Sequence, residues 1–360
     1  MSARELIRPD LRAFAGYLSA RKQNGAAAVM LNANEAALPQ AFDDQDLHRY
    51  PEPQPQALKD ALCRYYGVEQ TQLLVSRGSD EAIDLLVRAV CTPGRDRVGL
   101  QSPTFGMYAV CARLHACETV DVPLIEDGGR FVRDIPALIE AVLAQDVRLL
   151  FLCSPANPTG QDLPSADLER LLAALQDRCL VVVDEAYGEY STQASATALL
   201  PRFANLAVLK TLSKAHALAG ARIGAVMAAP ELIAVLKACQ APYPISAPSA
   251  RTALQAFTPE ALARTQAQVA HCLSERAALA GFLRGLPMVR TVFASDANFL
   301  LARFTDAEAV NAFLIERGIV VRGMAHYPAI ADCLRISIGT PADNAALRAT
   351  LTDYGNTRYA

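Results

Sequence analysis

Lys214 has the residue type and the neighbours expected of an amine that bonds covalently to a ligand. The chain of 360 residues has only five lysines, and this one follows the hydroxyls of Thr211 and Ser213 and precedes small residues. Small neighbours let a flat ligand approach, and loss of water lowers an amine pKa, which supplies the free nucleophile for an imine. Arg222, eight residues later, could anchor a phosphate together with the hydroxyls. An exposed loop lysine beside a surface arginine would give the same pattern.

Asp184 and two other polar residues could bind an aromatic ring that carries polar groups. Asp184 ends a wholly apolar run, where a carboxylate is costly unless it meets a cation or hydrogen-bond donors. A protonated ring nitrogen is such a cation, and the carboxylate would keep it charged. Tyr187 could donate to a ring oxygen, and Asn157 is fixed in a turn between Pro155 and Pro158. A helix N-cap at Asp184 and an Asx-turn at Asn157 are the structural alternatives.

A phosphate and a flat ring have further candidate partners earlier in the chain. The run Gly78-Ser79-Asp80 opens a predicted helix, whose unpaired amides and dipole favour an anion. Phe105 could stack on a ring. Simpler explanations exist for both: Ser79 as an ordinary N-cap, and Phe105 as a residue of the hydrophobic core.

The elements that must position these residues alternate between strands and helices from about residue 55 to about residue 240. Several predicted strands are apolar on both faces, as in a parallel sheet covered by helices on both sides. In such sheets ligands bind at the carboxyl ends of the strands, where the polar residues above are found. The predicted strands are Gln72–Ser76, Val98–Gln101, Val147–Cys153, Cys179–Asp184 and Leu206–Thr211, and the predicted helices include Asp80–Val90, Pro136–Leu143 and Ala166–Leu175.

The pattern changes after Pro242, where a long helix-rich stretch precedes short strands and two further helices. We therefore expect an α/β fold: a large domain with a mostly parallel, doubly wound sheet flanked by helices, plus a smaller α+β C-terminal domain. The predicted boundaries are an N-terminal arm over 1–40 that packs on the small domain and on a partner subunit, a large domain over 41–240, and a small domain over 241–360.

Charge and hydropathy exclude two classes of partner. Hydrophobic residues make up 52% of the chain and the net charge is −3, which removes the general attraction to nucleic acid phosphates. The longest uncharged stretch, Val98–Ala112, has 15 residues, whereas a membrane-spanning helix needs about 20 apolar residues. The N-terminus lacks the apolar region of a signal peptide. We expect a cytoplasmic protein without nucleic-acid or membrane partners.

The cysteines and histidines predict neither disulfides nor a metal site. Nine cysteines without a CxxC spacing lie mostly in apolar runs, and the five histidines form no HxxxH or HxH pair. We expect these cysteines to be reduced thiols in the protein core, as is usual in a cytosolic protein.

Several motifs together resemble the fold-type I aminotransferases that depend on pyridoxal 5′-phosphate. The run 211–220 with Lys214, followed by Arg222, is similar to their lysine signature, and the runs 154–160 and 184–187 are similar to their cofactor motifs. Within this group the chain resembles the histidinol-phosphate aminotransferase family. The segments that carry that likeness are 31–35, 49–52, 75–81 and 241–244.

The resemblance implies a role for each matching residue. Lys214 would form the covalent bond to the cofactor, Asp184 would face the ring nitrogen, and Tyr187 and Asn157 would bind the ring hydroxyl. Phe105 would stack on the ring. The phosphate would be bound by Ser79, Asp80, Ser213, Arg222 and, from the other subunit of a homodimer, Tyr50.

The resemblance also implies a substrate site centred on Arg335. A guanidinium accepts a carboxylate or a phosphate in bidentate fashion, so that one pocket could serve two substrates in turn. Without the family context, solvent-exposed arginines and core tyrosines are the alternative explanation for such residues. The implied substrate-binding residues are Tyr17, Asn34, Tyr243, Asn298, Arg322 and Arg335.

The activity implied is a ping-pong transamination that interconverts histidinol phosphate and 2-oxoglutarate with imidazole-acetol phosphate and glutamate in histidine biosynthesis, with Lys214 as the proton carrier. An aromatic amino acid transaminase or a phosphothreonine decarboxylase of the same fold shares the cofactor residues. A non-catalytic regulator that binds the cofactor is an alternative from a different class.

Overall fold

The computed structural model describes residues 2–17, 31–42 and 47–359, and places them in a large mixed sheet with flanking helices and a small antiparallel domain. The strands are β1 Leu73–Ser76, β2 Arg97–Leu100, β3 Glu118–Asp121, β4 Ile125–Asp127, β5 Arg130–Val132, β6 Val147–Cys153, β7 Leu180–Asp184, β8 Leu206–Thr211, β9 Gly224–Ala228, β10 Val289–Val292, β11 Phe299–Phe304, β12 Arg322–Gly323 and β13 Cys333–Ser337. The α-helices of the described residues are Gln56–Tyr66, Gly78–Val90, Met107–Leu114, Ile135–Ala144, Ser165–Ala174, Pro230–Cys239, Ala247–Gln255, Pro259–Arg284, Ala307–Glu316 and Pro341–Tyr359.

The large sheet has seven strands in the order β1-β9-β8-β7-β6-β2-β3. Strands β2, β3, β6, β7 and β8 pair in parallel, and β9 runs antiparallel to both of its neighbours, β1 and β8. The predicted mostly parallel sheet is therefore confirmed. Because the parallel strands share one direction, their carboxyl ends meet at one edge of the sheet.

Both faces of this sheet are buried, as the apolar runs predict. Along β6 the side chains alternate between two hydrophobic clusters: Leu149 and Phe151 belong to one, and Leu150 and Leu152 to the other. This alternation follows from the period of two in a strand. All five residues of β7 are buried, which places Asp184 at the end of a strand without solvent on either side.

The small domain is the predicted α+β unit. Its sheet has the order β10-β11-β13-β12 with antiparallel pairing throughout. The helices Pro259–Arg284 and Pro341–Tyr359 contribute to its core, which the first of them enters at Leu279. The preceding residues Ile245 and Ala253 instead pack with the large-domain helix Gln56–Tyr66, so the chain leaves the large-domain core later than the predicted boundary at 241.

The described part of the N-terminal arm contacts the large domain. Leu6 and Ile7 are buried in one of its two clusters, and the Arg8 amide donates to the Ala89 carbonyl at 3.0 Å. The Cα of Ala238 is so close to Gly16 that a Cβ there would be 2.8 Å from it. Packing of the arm on the small domain and on a partner subunit stays a prediction, and its residues 18–30 lie outside the described part.

Candidate active site

The carboxyl ends of β6, β7 and β8 and the start of the helix Gly78–Val90 enclose a cavity of about 170 Å³. Nine of the ten residues predicted to bind a cofactor line it, and Tyr50 does not. The topology thus brings together side chains that are up to 143 positions apart in the sequence, from Ser79 to Arg222. The lining consists of Ser79, Asp80, Phe105, Cys153, Asn157, Asp184, Ala186, Tyr187, Thr211, Ser213, Lys214, Ala219 and Arg222.

One end of the cavity is suited to an anion. Arg222 Nη2 lies 3.1 Å from Asp80 Oδ2, which fixes the guanidinium beside the helix start. Thr211 Oγ1 donates to Ser213 Oγ at 3.0 Å and accepts from the Ser213 amide at 3.2 Å. Hydroxyls, a guanidinium and the unpaired amides of a helix N-terminus form a binding set for phosphate.

Gly224, the first residue of β9, lies close to this helix start because it has no side chain. A Cβ at this position would be 2.5 Å from the carbonyl carbon of Gly78 and 2.7 Å from the Ser79 amide nitrogen. Gly78 itself has φ +72°, and a Cβ there would be 2.7 Å from Arg222 Nη2. The backbone that would bind the phosphate therefore depends on two residues that lack a side chain.

Asp184 lines the cavity and is 2% exposed. Its Oδ2 accepts from the Tyr108 hydroxyl at 2.7 Å, and its Oδ1 accepts from the Ala186 amide at 3.1 Å. Burial raises the pKa of this carboxyl to about 6, while the two hydrogen bonds act in the opposite direction. A buried carboxylate with this balance is stabilised in its charged form by a cation in the cavity.

Lys214 reaches the cavity from the segment after β8. Its Nζ lies 5.4 Å from the centre of the Tyr187 ring. Removal of water, followed by repulsion from Arg335, lowers the pKa of this amine below its usual value. The fraction of free amine is therefore larger than for an ordinary lysine, which favours a role as nucleophile and base.

Asn157 and Tyr187 line the cavity together with Asp184, and both contact the small domain. Asn157 Oδ1 accepts a hydrogen bond from Nη1 of Arg335, which is on β13. The Tyr187 ring packs edge-on against Phe299 of β11 at 5.3 Å, and burial raises the pKa of its hydroxyl, which keeps it a donor. A small-domain arginine and the cofactor cavity are thereby joined by a direct contact.

Arg322 and Arg335 line a second cavity, of about 370 Å³, in the small domain. Arg322 is exposed, and Arg335 is half-buried above the Phe299 ring at 5.4 Å. The hydroxyl of Tyr327, near both guanidinium groups, donates to the Thr104 carbonyl next to Phe105. Two of the predicted substrate residues are thus side by side at the domain junction.

The other predicted residues do not line the cofactor cavity of their own chain. Tyr17 is 66% exposed, Asn34 is exposed with φ +54°, and the Asn298 carbonyl accepts from the Ile338 amide. Tyr50 stacks on Tyr243, with ring centroids 4.4 Å apart. Substrate contacts of these residues stay predictions.

Comparison with known proteins places the chain in a family. The sequence pattern of the aminotransferase class I and II family matches residues 18–351. The chain is 52% identical to a histidinol-phosphate aminotransferase of Stenotrophomonas maltophilia over 348 residues, 96% of each protein. It is 53% identical to one of Xanthomonas campestris pv. campestris over 344 residues, 95% of each.

A solved relative has the same fold. The histidinol-phosphate aminotransferase of Sinorhizobium meliloti, crystallised with pyridoxal 5′-phosphate, matches with a TM-score of 0.75 at 25% identity, over 87% of this chain and 84% of that one. The chain belongs to the class I and II aminotransferases. Their cofactor is pyridoxal 5′-phosphate, so the predictions of family, fold class, aminotransferase activity and cofactor are confirmed.

The cavity of this aminotransferase fits that cofactor by its donor set. Ser79, Ser213 and Arg222 offer donors to a phosphate at one end, and Asp184 offers a buried carboxylate to a ring nitrogen. Lys214 supplies an amine to the same cavity. The chemistry that pyridoxal phosphate supplies when bound is an electron sink for the charge that develops on the substrate carbon.

Tyr108 is a residue of the aminotransferase site for which the sequence gives no role. It is fully buried in the helix Met107–Leu114 and reaches Asp184 across 76 positions of sequence. Its place beside Phe105 in the sequence is the one available signal, and a core tyrosine has the same local pattern.

The described residues contain no membrane-spanning helix, no group of metal ligands and no disulfide. No helix in residues 2–17, 31–42 and 47–359 is long and apolar enough to cross a membrane. Over the same ranges, histidines, cysteines and carboxylates form no group of three or more that could hold a metal ion. All nine cysteines are free, and seven of them are buried. The cytoplasmic location stays a prediction.

Proposed function

We propose that this aminotransferase interconverts histidinol phosphate and 2-oxoglutarate with imidazole-acetol phosphate and glutamate, in histidine biosynthesis. The histidinol-phosphate aminotransferases of Stenotrophomonas maltophilia and Xanthomonas campestris pv. campestris are 52–53% identical to it over nearly the whole chain. The observation that carries the proposal is the contact of Arg335 with Asn157 of the cofactor cavity, because a guanidinium at this position can bind an anionic group of a substrate.

Each residue of the cavity has its own role in the proposed reaction. Lys214 Nζ accepts the proton from the substrate Cα, for which a lowered pKa suits it. Asp184 holds a proton on the ring nitrogen by its negative charge, and Tyr187 donates to the ring hydroxyl. Ser79, Ser213 and Arg222 bind the phosphate and fix the position of the ring.

Arg335 serves both half-reactions. Its guanidinium binds the carboxylate of glutamate in one half-reaction and the phosphate of histidinol phosphate in the other, since both anions accept two parallel hydrogen bonds. Because the two substrates occupy the same place in turn, the kinetics follow a ping-pong scheme.

A substrate panel with matched variants tests this function. Wild-type enzyme should convert histidinol phosphate with 2-oxoglutarate at least about a hundredfold faster, in kcat/KM, than aromatic amino acids. Lys214→Ala should lose turnover, whereas the exposed Lys237→Ala should keep it. Release of CO2 from phosphothreonine would favour the decarboxylase alternative, and an active Lys214→Ala enzyme would refute the mechanism.

The enzyme acts as a homodimer with shared sites in this proposal. Tyr50 is 48% exposed, lies outside the cavity of its own chain, and has exposed apolar neighbours in sequence: Leu38 at 80%, Phe42 at 86% and Leu47 at 53%. Apolar residues exposed in one stretch are typical of a protein interface. Tyr50 would then reach the phosphate of the partner's cofactor.

Subunit mixing tests the shared site. Homodimers of Lys214→Ala and of Tyr50→Ala should both have low activity. In a mixed dimer, one site would combine the intact Lys214 of one chain with the intact Tyr50 of the other. Refolding the two variants together should therefore restore activity, and no gain on mixing would show that Tyr50 does not act across an interface.

A further inference from the structure

We infer that Tyr108 is a positioning residue that holds the Asp184 carboxylate in the orientation and the charged state that the cofactor ring nitrogen requires. The inference rests on the proposed role of Asp184, and it adds a residue that acts on the ring without touching it. Tyr108 does not line the cavity.

The two oxygens of Asp184 are each held by one donor. The Tyr108 hydroxyl is 2.7 Å from Oδ2, and the Ala186 amide is 3.1 Å from Oδ1. Two donors on opposite oxygens fix the plane of a carboxylate, as a single donor would not. Because the amide belongs to the backbone, the tyrosine is the one of the two that substitution can remove.

The Tyr108 ring is itself held rigidly. It stacks on Phe151 of β6 with centroids 4.7 Å apart and planes 2° apart, and Phe105 packs against it edge-on at 5.6 Å. It is 0% exposed. Its hydroxyl therefore cannot turn to water, and burial, with the negative charge of Asp184, raises its pKa so that it remains a donor.

The hydrogen bond from Tyr108 opposes the effect of burial on the pKa of Asp184. Burial raises the pKa of this carboxyl to about 6, the charges of Asp80 and Glu185 act in the same direction, and the Tyr108 hydrogen bond lowers the pKa. Cys153 of β6 is paired with Asp184 of β7. Burial raises the pKa of its thiol to about 12, so that the thiol is neutral. The titratable groups of the described residues that interact electrostatically with Asp184 are Tyr108, Cys153, Asp80, Glu185, Tyr187 and Lys214. Without Tyr108, Asp184 would take up a proton nearer neutral pH.

Affinity for pyridoxal phosphate tests the inference. The dissociation constant of the apoenzyme complex is measured by equilibrium dialysis at about pH 6 and about pH 8.5 for wild type, Tyr108→Phe and the control Tyr354→Phe, which changes a buried tyrosine of the small-domain core. We expect Tyr108→Phe to weaken binding about tenfold at the lower pH and less at the higher, because a hydrogen bond to a charged group is lost. The control should match wild type.

A double-mutant cycle shows whether Tyr108 acts through Asp184. In an Asp184→Asn background, Tyr108→Phe should change cofactor affinity less than twofold, since no charge remains to be held. An undiminished effect there, or equal affinity ratios at both pH values, would overturn the inference. Thermal unfolding of each apoenzyme separates a folding defect from these outcomes. Wild-type turnover of histidinol phosphate is independent of all of them, so the proposed function can fail or hold separately.

Discussion

Arg322 and Arg335 are directly opposite each other on the antiparallel strands β12 and β13. Like charges at opposite positions of a strand pair repel each other. The fold accepts this cost at the junction where Arg335 also contacts Asn157 of the cofactor cavity. An anion bound between the guanidinium groups would remove the repulsion, and we therefore propose this pair as the receptor for the negative groups of both substrates.

Arg335→Gln should weaken the binding of both substrates. We expect the KM values for glutamate and for histidinol phosphate each to rise about tenfold to a hundredfold, because a charge-assisted bidentate contact is lost from each. Arg290→Gln, on the exposed part of β10, is the control and should leave both values unchanged. Steady-state kinetics with each substrate varied in turn provide the measurement. An effect confined to one substrate would mean that the other binds elsewhere.

Gly224→Ala should weaken the binding of the cofactor before it affects the fold. The added Cβ would press on the backbone of Gly78 and Ser79 at 2.5 and 2.7 Å, and would displace the amides that face the phosphate. We expect a cofactor affinity at least about tenfold lower, which corresponds to about 1.4 kcal/mol. Gly281→Ala, in an open position of the helix Pro259–Arg284, is the control. Dialysis and absorbance of the retained cofactor report the outcome, and full retention by Gly224→Ala would contradict the prediction.

The site residues that parallel strands bring together could be predicted from the sequence. Asp184, Lys214 and Asn157 each follow a buried apolar run, and the carboxyl ends of such strands share one edge of the sheet. Strand β9 was not predicted, because its residues are small and the Arg222 loop before it has no strand pattern. Its antiparallel entry is nevertheless what brings Gly224 to the helix start.

Tyr108 shows where sequence reasoning ends. Its bond to Asp184 depends on how the helix Met107–Leu114 packs on β6 and β7, which is a property of the tertiary structure. Neither spacing nor residue type distinguishes it from a tyrosine that only fills the core. Arg335 was expected from the family resemblance, but its contact with Asn157, which crosses from one domain to the other, was not.

Lys210→Met should strongly destabilise the large domain. Lys210 Nζ lies 2.8 Å from Glu185 Oε2 and 3.6 Å from Glu189 Oε1, and all three side chains are at most 10% exposed. Although burial alone would lower the pKa of Lys210, the two carboxylates raise it. Without the ammonium, two buried carboxylates lack a counter-charge, and we expect a loss of about 3–5 kcal/mol in the free energy of unfolding.

The pH dependence of that loss identifies its cause. Burial already raises the pKa of Glu189, so at about pH 5 the unpaired carboxyls can take up protons and the cost should be smaller than at about pH 8. Urea unfolding at both values measures it. Lys237→Met, at an exposed position, should stay within about 0.5 kcal/mol of wild type. An equal loss at both pH values would point to packing instead of charge.

His216 should make the protein sensitive to acid. The side chain is 6% exposed beside the rings of Tyr65 and Phe257, and neither ring nitrogen has a hydrogen-bond partner among the described residues. Burial, with repulsion from Lys210, lowers its pKa from 6.5 to about 4. The unfolded chain therefore binds the proton more readily than the folded one, and stability falls as the pH decreases from about 6.5 to about 4, by about 3 kcal/mol in total.

Replacing the imidazole tests that assignment. His216→Leu fills a similar space without a group to protonate, so its free energy of unfolding should decrease less than that of wild type over this pH interval. Near pH 8, where the imidazole is neutral, the two proteins should differ by less than about 1.5 kcal/mol. The exposed His271→Leu should retain the wild-type slope. If His216→Leu also retained it, the acid sensitivity would have to come from the buried carboxyls, and His216 would be a packing residue only.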